Sequence, residues 1–195
     1  MTSYQVDDRD QVELFDSKTG GLIINCTKLA VADMRDGNSD ECEFINCRES
    51  MSLYGEWAKA IKFDDMPSPR EVKRDAVAFV QYASSIASAL EKGKKAVVFC
   101  KNGRSRSPCV VAAFYIIYRG LPLREIKMWF KEVYPKQRPI TAAKSSSFPN
   151  IEKFEAVLNL LERCLANPEK TVRGFNLAGK IFAANKSWPS LFLLL

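Results

Sequence analysis

The stretch VVFCKNGRSRSPCVV, residues 97–111, decides how this chain is read. An apolar run stops at Cys100. Lys101, Asn102, Gly103, Arg104, Ser105 and Arg106 follow, and a second apolar run begins near Pro108. The first run, KAVVFC (95–100), comes just after Gly93 and is too short for a helix, so it reads as a buried strand. The second, residues 107–119, reads as a helix with Pro108 in its first turn, where a missing N–H costs little. The loop KNGRSR must then run past that helix N-terminus. Helix N-termini present unpaired N–H groups and a positive partial charge, which together hold anions. Gly103 lets the backbone curl until successive N–H groups converge. Arg106 can fork two hydrogen bonds onto a phosphate. A cysteine in such surroundings is favoured as a thiolate, which makes Cys100 a candidate nucleophile. One loop would thus cradle a phosphate and supply the atom that attacks it.

Composition narrows the chemistry further. The chain has 195 residues, 47% of them hydrophobic, enough for one domain with a sizeable core. Its formal net charge is +6, which favours anionic partners without choosing among them. It has no histidine, so Ser-His-Asp and Cys-His mechanisms and His-containing zinc sites are excluded. Six cysteines are scattered without CxxC spacing. The start, MTSYQVDDRD, is polar and acidic, unlike a secretory signal. No apolar run is long enough to span a bilayer. The expectation is a cytoplasmic or nuclear protein with reduced thiols.

Outward from the loop, the pattern is strands, helix, strand, then helices. VELFD (12–16) and GLIINC (21–26) are short strands joined by a turn, and CEFINC (42–47) is a third. LAVADMRDGNSDE holds a short helix, and AKAIKF (58–63) precedes the polar loop DDMPSP. Ser68, Pro69 and Glu71 form a capping box for a long helix. Val72, Ala76, Phe79, Val80, Ala83, Ile86, Ala87 and Leu90 recur along it at helical spacing, and Gly93 stops it. Further helices are expected over 123–133 and 150–166, the last with Asn150 as N-cap. The fold class is α/β, a central mixed sheet flanked by helices with a phosphate-binding loop between a buried strand and a helix N-terminus. Residues 1–168 are expected to form the domain and 169–195 a tail.

Cys100-x5-Arg106-Ser107 between strand and helix resembles the signature loop of the cysteine-dependent protein tyrosine phosphatases, most closely the small dual-specificity type. The resemblance covers roughly residues 10–166. FDDMPSP (63–69) is similar to the family's general-acid loop, which puts the acid on Asp65, with Asp64 as runner-up. RPITAAKSSSFPNIEKFEAVL (138–158) is similar to the family's Arg-Pro segment and final helix. The resemblance implies a two-step hydrolysis without metal or other cofactor. Cys100 attacks phosphorus, Arg106 and the loop N–H groups hold the oxygens, and Asp65 serves as acid and then as base. Ser107 corresponds to the family's hydroxyl that donates to the cysteine sulfur. The family has histidine before the nucleophile, where this chain has Phe99.

The implied substrates are phosphotyrosine, phosphoserine or phosphothreonine in proteins or peptides, rather than a nucleic acid. Lys101 and Arg104 also resemble the basic residues of the tensin-type lipid phosphatases. A phosphoinositide or an RNA 5′-phosphate therefore stays open as the substrate, and so does a phosphate-binding module with little turnover. Cys109 reads as a core thiol. Cys47 reads either as core packing or as a resolving partner for oxidised Cys100.

Overall fold

A computed structural model of the chain describes residues 11–27, 30, 31, 34, 40–47, 59, 60, 71–137 and 149–166. Five strands form one sheet: β1 (Gln11–Asp16), β2 (Gly21–Thr27), β3 (Cys42–Asn46), β4 (Lys59–Ala60) and β5 (Lys95–Cys100). The sheet order is β1-β2-β5-β3-β4. β1 and β2 pair antiparallel across the turn at 17–20, and the other neighbours pair in parallel. The helices whose full range lies among the described residues are α1 (Val72–Glu91), α2 (Arg106–Arg119), α3 (Leu123–Gln137) and α4 (Glu155–Ala166). The mixed α/β sheet expected from the sequence is therefore present.

β5 runs between β2 and β3, and every residue from Ala96 to Cys100 is buried. A strand covered on both faces and paired on both edges needs such a continuous apolar run. Alternate side chains enter two separate cores. Ala96, Val98 and Cys100 join the larger core, which α1, α2, α3 and α4 complete. Val97 and Phe99 join a smaller one with Ile24, Cys26, Ala30, Val31, Cys42 and Phe44.

α1 buries the positions that its periodicity picks out, Ala76, Phe79, Val80, Ala83, Ile86, Ala87 and Leu90, while Val72 is half-buried. Its end is a Schellman motif. Gly93 takes a φ of 70°, its N–H donates to Leu90 O, and Lys94 N–H donates to Ala89 O. Glu71 occupies the cap position of α1, and Ser68 and Pro69 lie outside the described residues. Ala30, Val31 and Met34 are helical, in keeping with the short helix expected there.

Three boundaries differ from expectation. α2 begins one residue early, at Arg106. α3 continues to Gln137, past Pro135: a proline near a helix end forfeits one backbone bond without ending the helix. Asn150 is not the N-cap of α4. Ile151 is the N-cap of a 3-10 turn, Glu152–Phe154, that leads into α4, and the backbone N–H of Asn150 donates to Arg104 O. The segments 138–148 and 167–195, including the expected tail, lie outside the described residues.

One buried ion pair ties the sheet edge to α2. Arg119 donates to Asp16 through Nε and Nη2, each at 2.6 Å, and Asp16 is 1% exposed. Thr19 also donates to Asp16 from its backbone, and the Arg119 guanidinium lies 4.8 Å from the Phe114 ring centre. Burial alone would raise the Asp16 carboxyl, but Arg119 and Thr19 outweigh it and hold it below 3.8. A depressed folded value means that the pair stabilises above the unfolded value of about 3.9 and that this is lost as pH falls through the folded value. Arg119→Met strands the carboxylate in the core and is expected to cost about 3–5 kcal/mol at pH 7. In that variant only Thr19 still opposes burial, so the carboxyl rises and the gap to the parent narrows below pH 4. Denaturant midpoints at pH 7 and pH 3.5 check both signs.

Candidate active site

Cys100 closes β5 and is 3% exposed. Two parallel ladders fix it: Thr27 pairs with Cys100 on one side, and Asn46 pairs with Phe99 on the other. The next backbone bond, Cys47 N–H to Phe99 O at 2.8 Å, extends the β3 side up to the loop. Tyr82 of α1 donates its hydroxyl to Asn46 O at 2.8 Å, so the β3 end is held from the helix layer as well.

The loop then turns through residues 101–105. Lys101 and Asn102 are exposed, Gly103 is buried, and Arg104 and Ser105 are half-buried. Gly103 has a φ of 61°, in the left-handed region that favours glycine. Arg106 and Ser107 open α2, so their N–H groups are among those that no intrahelical carbonyl can satisfy. Arg106 is 9% exposed and Ser107 is fully buried. The Ser107 hydroxyl donates to Cys100 Sγ at 3.2 Å.

The carbonyls on the rear of the loop have partners. Gly103 O accepts from Asn25 Nδ2 at 3.0 Å, and Arg104 O accepts from Asn150 N–H at 2.9 Å. Ser105 O accepts from Cys109 N–H at 3.1 Å, the first bond of α2. Cys109 also directs its thiol toward the carbonyls of Asn150 and Ile151. Nothing in the loop sequence pointed to Asn25 or Asn150. The available signal was a polar residue inside the apolar strand GLIINC.

The structure thus brings together Cys100, Lys101, Asn102, Gly103, Arg104, Ser105, Arg106 and Ser107 on one strand–loop–helix unit. Asp65, Asp64 and the Arg138–Pro139 segment lie outside the described residues. Cys47 and Cys109 are buried free thiols below the loop. Burial first, and the neighbouring Cys100 second, push both of these thiols well up; Arg106 acts the other way on Cys47. For Cys109 this fits the core role expected. A neutral thiol is also a poor partner for exchange, which favours the packing role for Cys47.

A cysteine ending a buried strand, a glycine-containing loop and an arginine opening the next helix are the arrangement of the cysteine-dependent phosphatase class. The dual specificity phosphatase catalytic-domain model matches residues 22–146, and the chain belongs to that family. Human dual specificity phosphatase 28 is 30% identical over 82 residues, which cover 42% of this chain and 44% of that protein. The match thus spans less than half of that relative. The crystal structure of human DUSP28 superposes with a TM-score of 0.56 at 19% identity, covering 80% of this chain and 95% of the other. That of DUSP15 superposes at 0.51 with 20% identity, covering 78% and 94%. At these identities the superpositions establish the shared fold.

Phe99, where the family has histidine, is fully buried on the sheet face opposite Cys100, in the small core. Imidazole there would face Ile24, Cys26, Val31 and Phe44 and leave ring nitrogens to be paired. Phe99→His is expected to destabilise the fold by about 2–4 kcal/mol with no gain in rate. Thermal unfolding beside aryl phosphate hydrolysis checks this.

Proposed function

We propose that this chain is a phosphatase that hydrolyses phosphate monoesters on tyrosine, serine or threonine of proteins through a phosphocysteine intermediate. The observation that carries the reading is the 3.2 Å hydrogen bond from Ser107 Oγ to Cys100 Sγ, beneath a loop that leads into the N-terminus of α2. A hydroxyl aimed at the sulfur favours the anionic form, both as attacking thiolate and as leaving group.

In the first step Cys100 Sγ forms a bond to phosphorus as the ester P–O bond breaks. The loop N–H groups and Arg106 hold the three equatorial oxygens as charge builds on them. Asp65 gives its proton to the leaving oxygen. In the second step Asp65 accepts a proton from water, the oxygen of that water bonds to phosphorus, and the thiolate leaves toward Ser107. Inorganic phosphate is released, and no redox change occurs. Residues 1–168 carry this chemistry. The absence of disulfides among six cysteines supports a reducing compartment such as the cytoplasm.

A second reading, a phosphoinositide substrate, draws on exposed Lys101 and half-buried Arg104 at the loop rim. Two cations there would suit a headgroup with several phosphates. Phosphate release from matched panels of phosphopeptides and phosphoinositides decides between the substrates. Cys100→Ser is the control and should abolish turnover.

Arg106→Lys should weaken transition-state binding by at least about 2–3 kcal/mol, because a point ammonium cannot reproduce the fork. A near-normal kcat/KM would remove Arg106 from the phosphoryl site. Asp65→Asn should slow phosphotyrosine hydrolysis far more than hydrolysis of an aryl ester with a very good leaving group, which needs little protonation. If Asp64→Asn shows that selective loss instead, the acid is Asp64.

A further inference from the structure

Cys100, Arg106 and Ser107 lie on β5 and α2, and β2 contributes no reacting group. Yet β2 carries Asn25, which is fully buried and shares its sheet face with Val98 and Cys100. Its Nδ2 donates to Gly103 O at 3.0 Å, and among the described residues its Oδ1 accepts no hydrogen bond. A buried amide with half its capacity unused is a cost that an aliphatic side chain would avoid. Pairing the buried Gly103 carbonyl offsets part of that cost, but stability alone does not account for Asn25.

The peptide plane does. In a trans peptide the C=O of one residue and the N–H of the next point in opposite directions. Asn25 draws the Gly103 carbonyl rearward, which turns the Arg104 N–H forward. Asn150 does the same for the Arg104 carbonyl and the Ser105 N–H, and Cys109 for the Ser105 carbonyl and the Arg106 N–H. The last two ties are made by backbone groups, so side-chain substitution leaves their donors in place. The first is made by a side chain, from a strand 78 residues away in sequence.

We propose that Asn25 is a positioning residue for the oxyanion cradle: by holding the Gly103–Arg104 peptide it aims the first of three consecutive backbone donors at the phosphoryl oxygens. This rests on the reading that the loop holds a phosphoryl group. Asn25 acts only through Gly103 and touches no substrate. Its loss should therefore degrade alignment while leaving the core intact.

Tungstate, a tetrahedral oxyanion that is not hydrolysed, serves as the probe, in the full chain carrying Cys100→Ser so that binding is read apart from turnover. Adding Asn25→Leu should leave the thermal midpoint close to that of the Cys100→Ser chain. Tungstate affinity should drop about ten- to a hundred-fold, the scale of a small misplacement of binding groups. With Cys100 intact, Asn25→Leu should lower kcat more than it raises KM. A folded Asn25→Leu protein that binds tungstate unchanged would overturn the proposal.

Asn25→Asp keeps the shape and covers the case in which the leucine variant does not fold. A protonated carboxyl can still donate to Gly103 O, whereas a carboxylate cannot. At pH 8 it should therefore bind tungstate more weakly than the Asn25 chain, and equal affinity would overturn the proposal. A chain that binds tungstate but releases no phosphate sinks the hydrolase reading and leaves this inference standing. A chain that binds none removes the cradle and this inference with it.

Discussion

β5 is gripped in parallel on both edges, by β2 and by β3, and its last residue is Cys100. A strand held this way cannot slide by one residue without turning its whole apolar set to the wrong core, so its register is fixed. Cys100 inherits that fixity. The loop must leave the sheet at one point and in one direction, and α2 must start where it does for Ser107 to reach the sulfur. The rear hydrogen bonds from Asn25 and Asn150 then act on a loop whose two ends are already set.

How much of this could be read from the sequence follows from how local each signal is. The strand, glycine, arginine and helix start all fall within residues 95–108, and each follows a short-range rule of chain geometry. That region was legible as fold, and the structure gathers its candidate site residues on one strand–loop–helix unit. α1 was legible for the same reason, since twenty residues of periodicity and a glycine stop leave little choice. Asn25 was not, because its role depends on a contact 78 residues distant. Asn150 was misread because a capping rule considers only the helix that follows. A 3-10 turn capped by Ile151 replaced the simple start. Arg106 entered α2 one residue early because the loop closes through the Ser105–Cys109 bond. The acid loop is a motif reading on residues 63–69, which lie outside the described residues.

The alternation along β5 separates two demands that meet at one dipeptide. Phe99 faces a small apolar core of strands β2 and β3, and Cys100 faces the helix layer and the loop. A bulky ring on one side braces the strand, while the sulfur on the other accepts the Ser107 hydroxyl. The loop geometry therefore draws on backbone ties and a buried amide rather than on the side chain that precedes the cysteine. Burial pushes the neighbouring thiols, Cys47 and Cys109, well above their ordinary value.

The sheet order also sets a timetable for a chain made from its N-terminus. β1 and β2 can pair as a hairpin as soon as both have emerged, but the other edge of β2 belongs to β5. Ile23 pairs with Ala96, about 70 residues further along. At a synthesis rate of about 5–20 residues per second, that edge stays open for roughly 4–15 s. Throughout that interval Ile23 and Ile24 sit on an exposed template for any passing strand. The site cannot exist before β5 arrives to close the gap, so the nascent chain spends its early seconds as a hairpin in need of shielding.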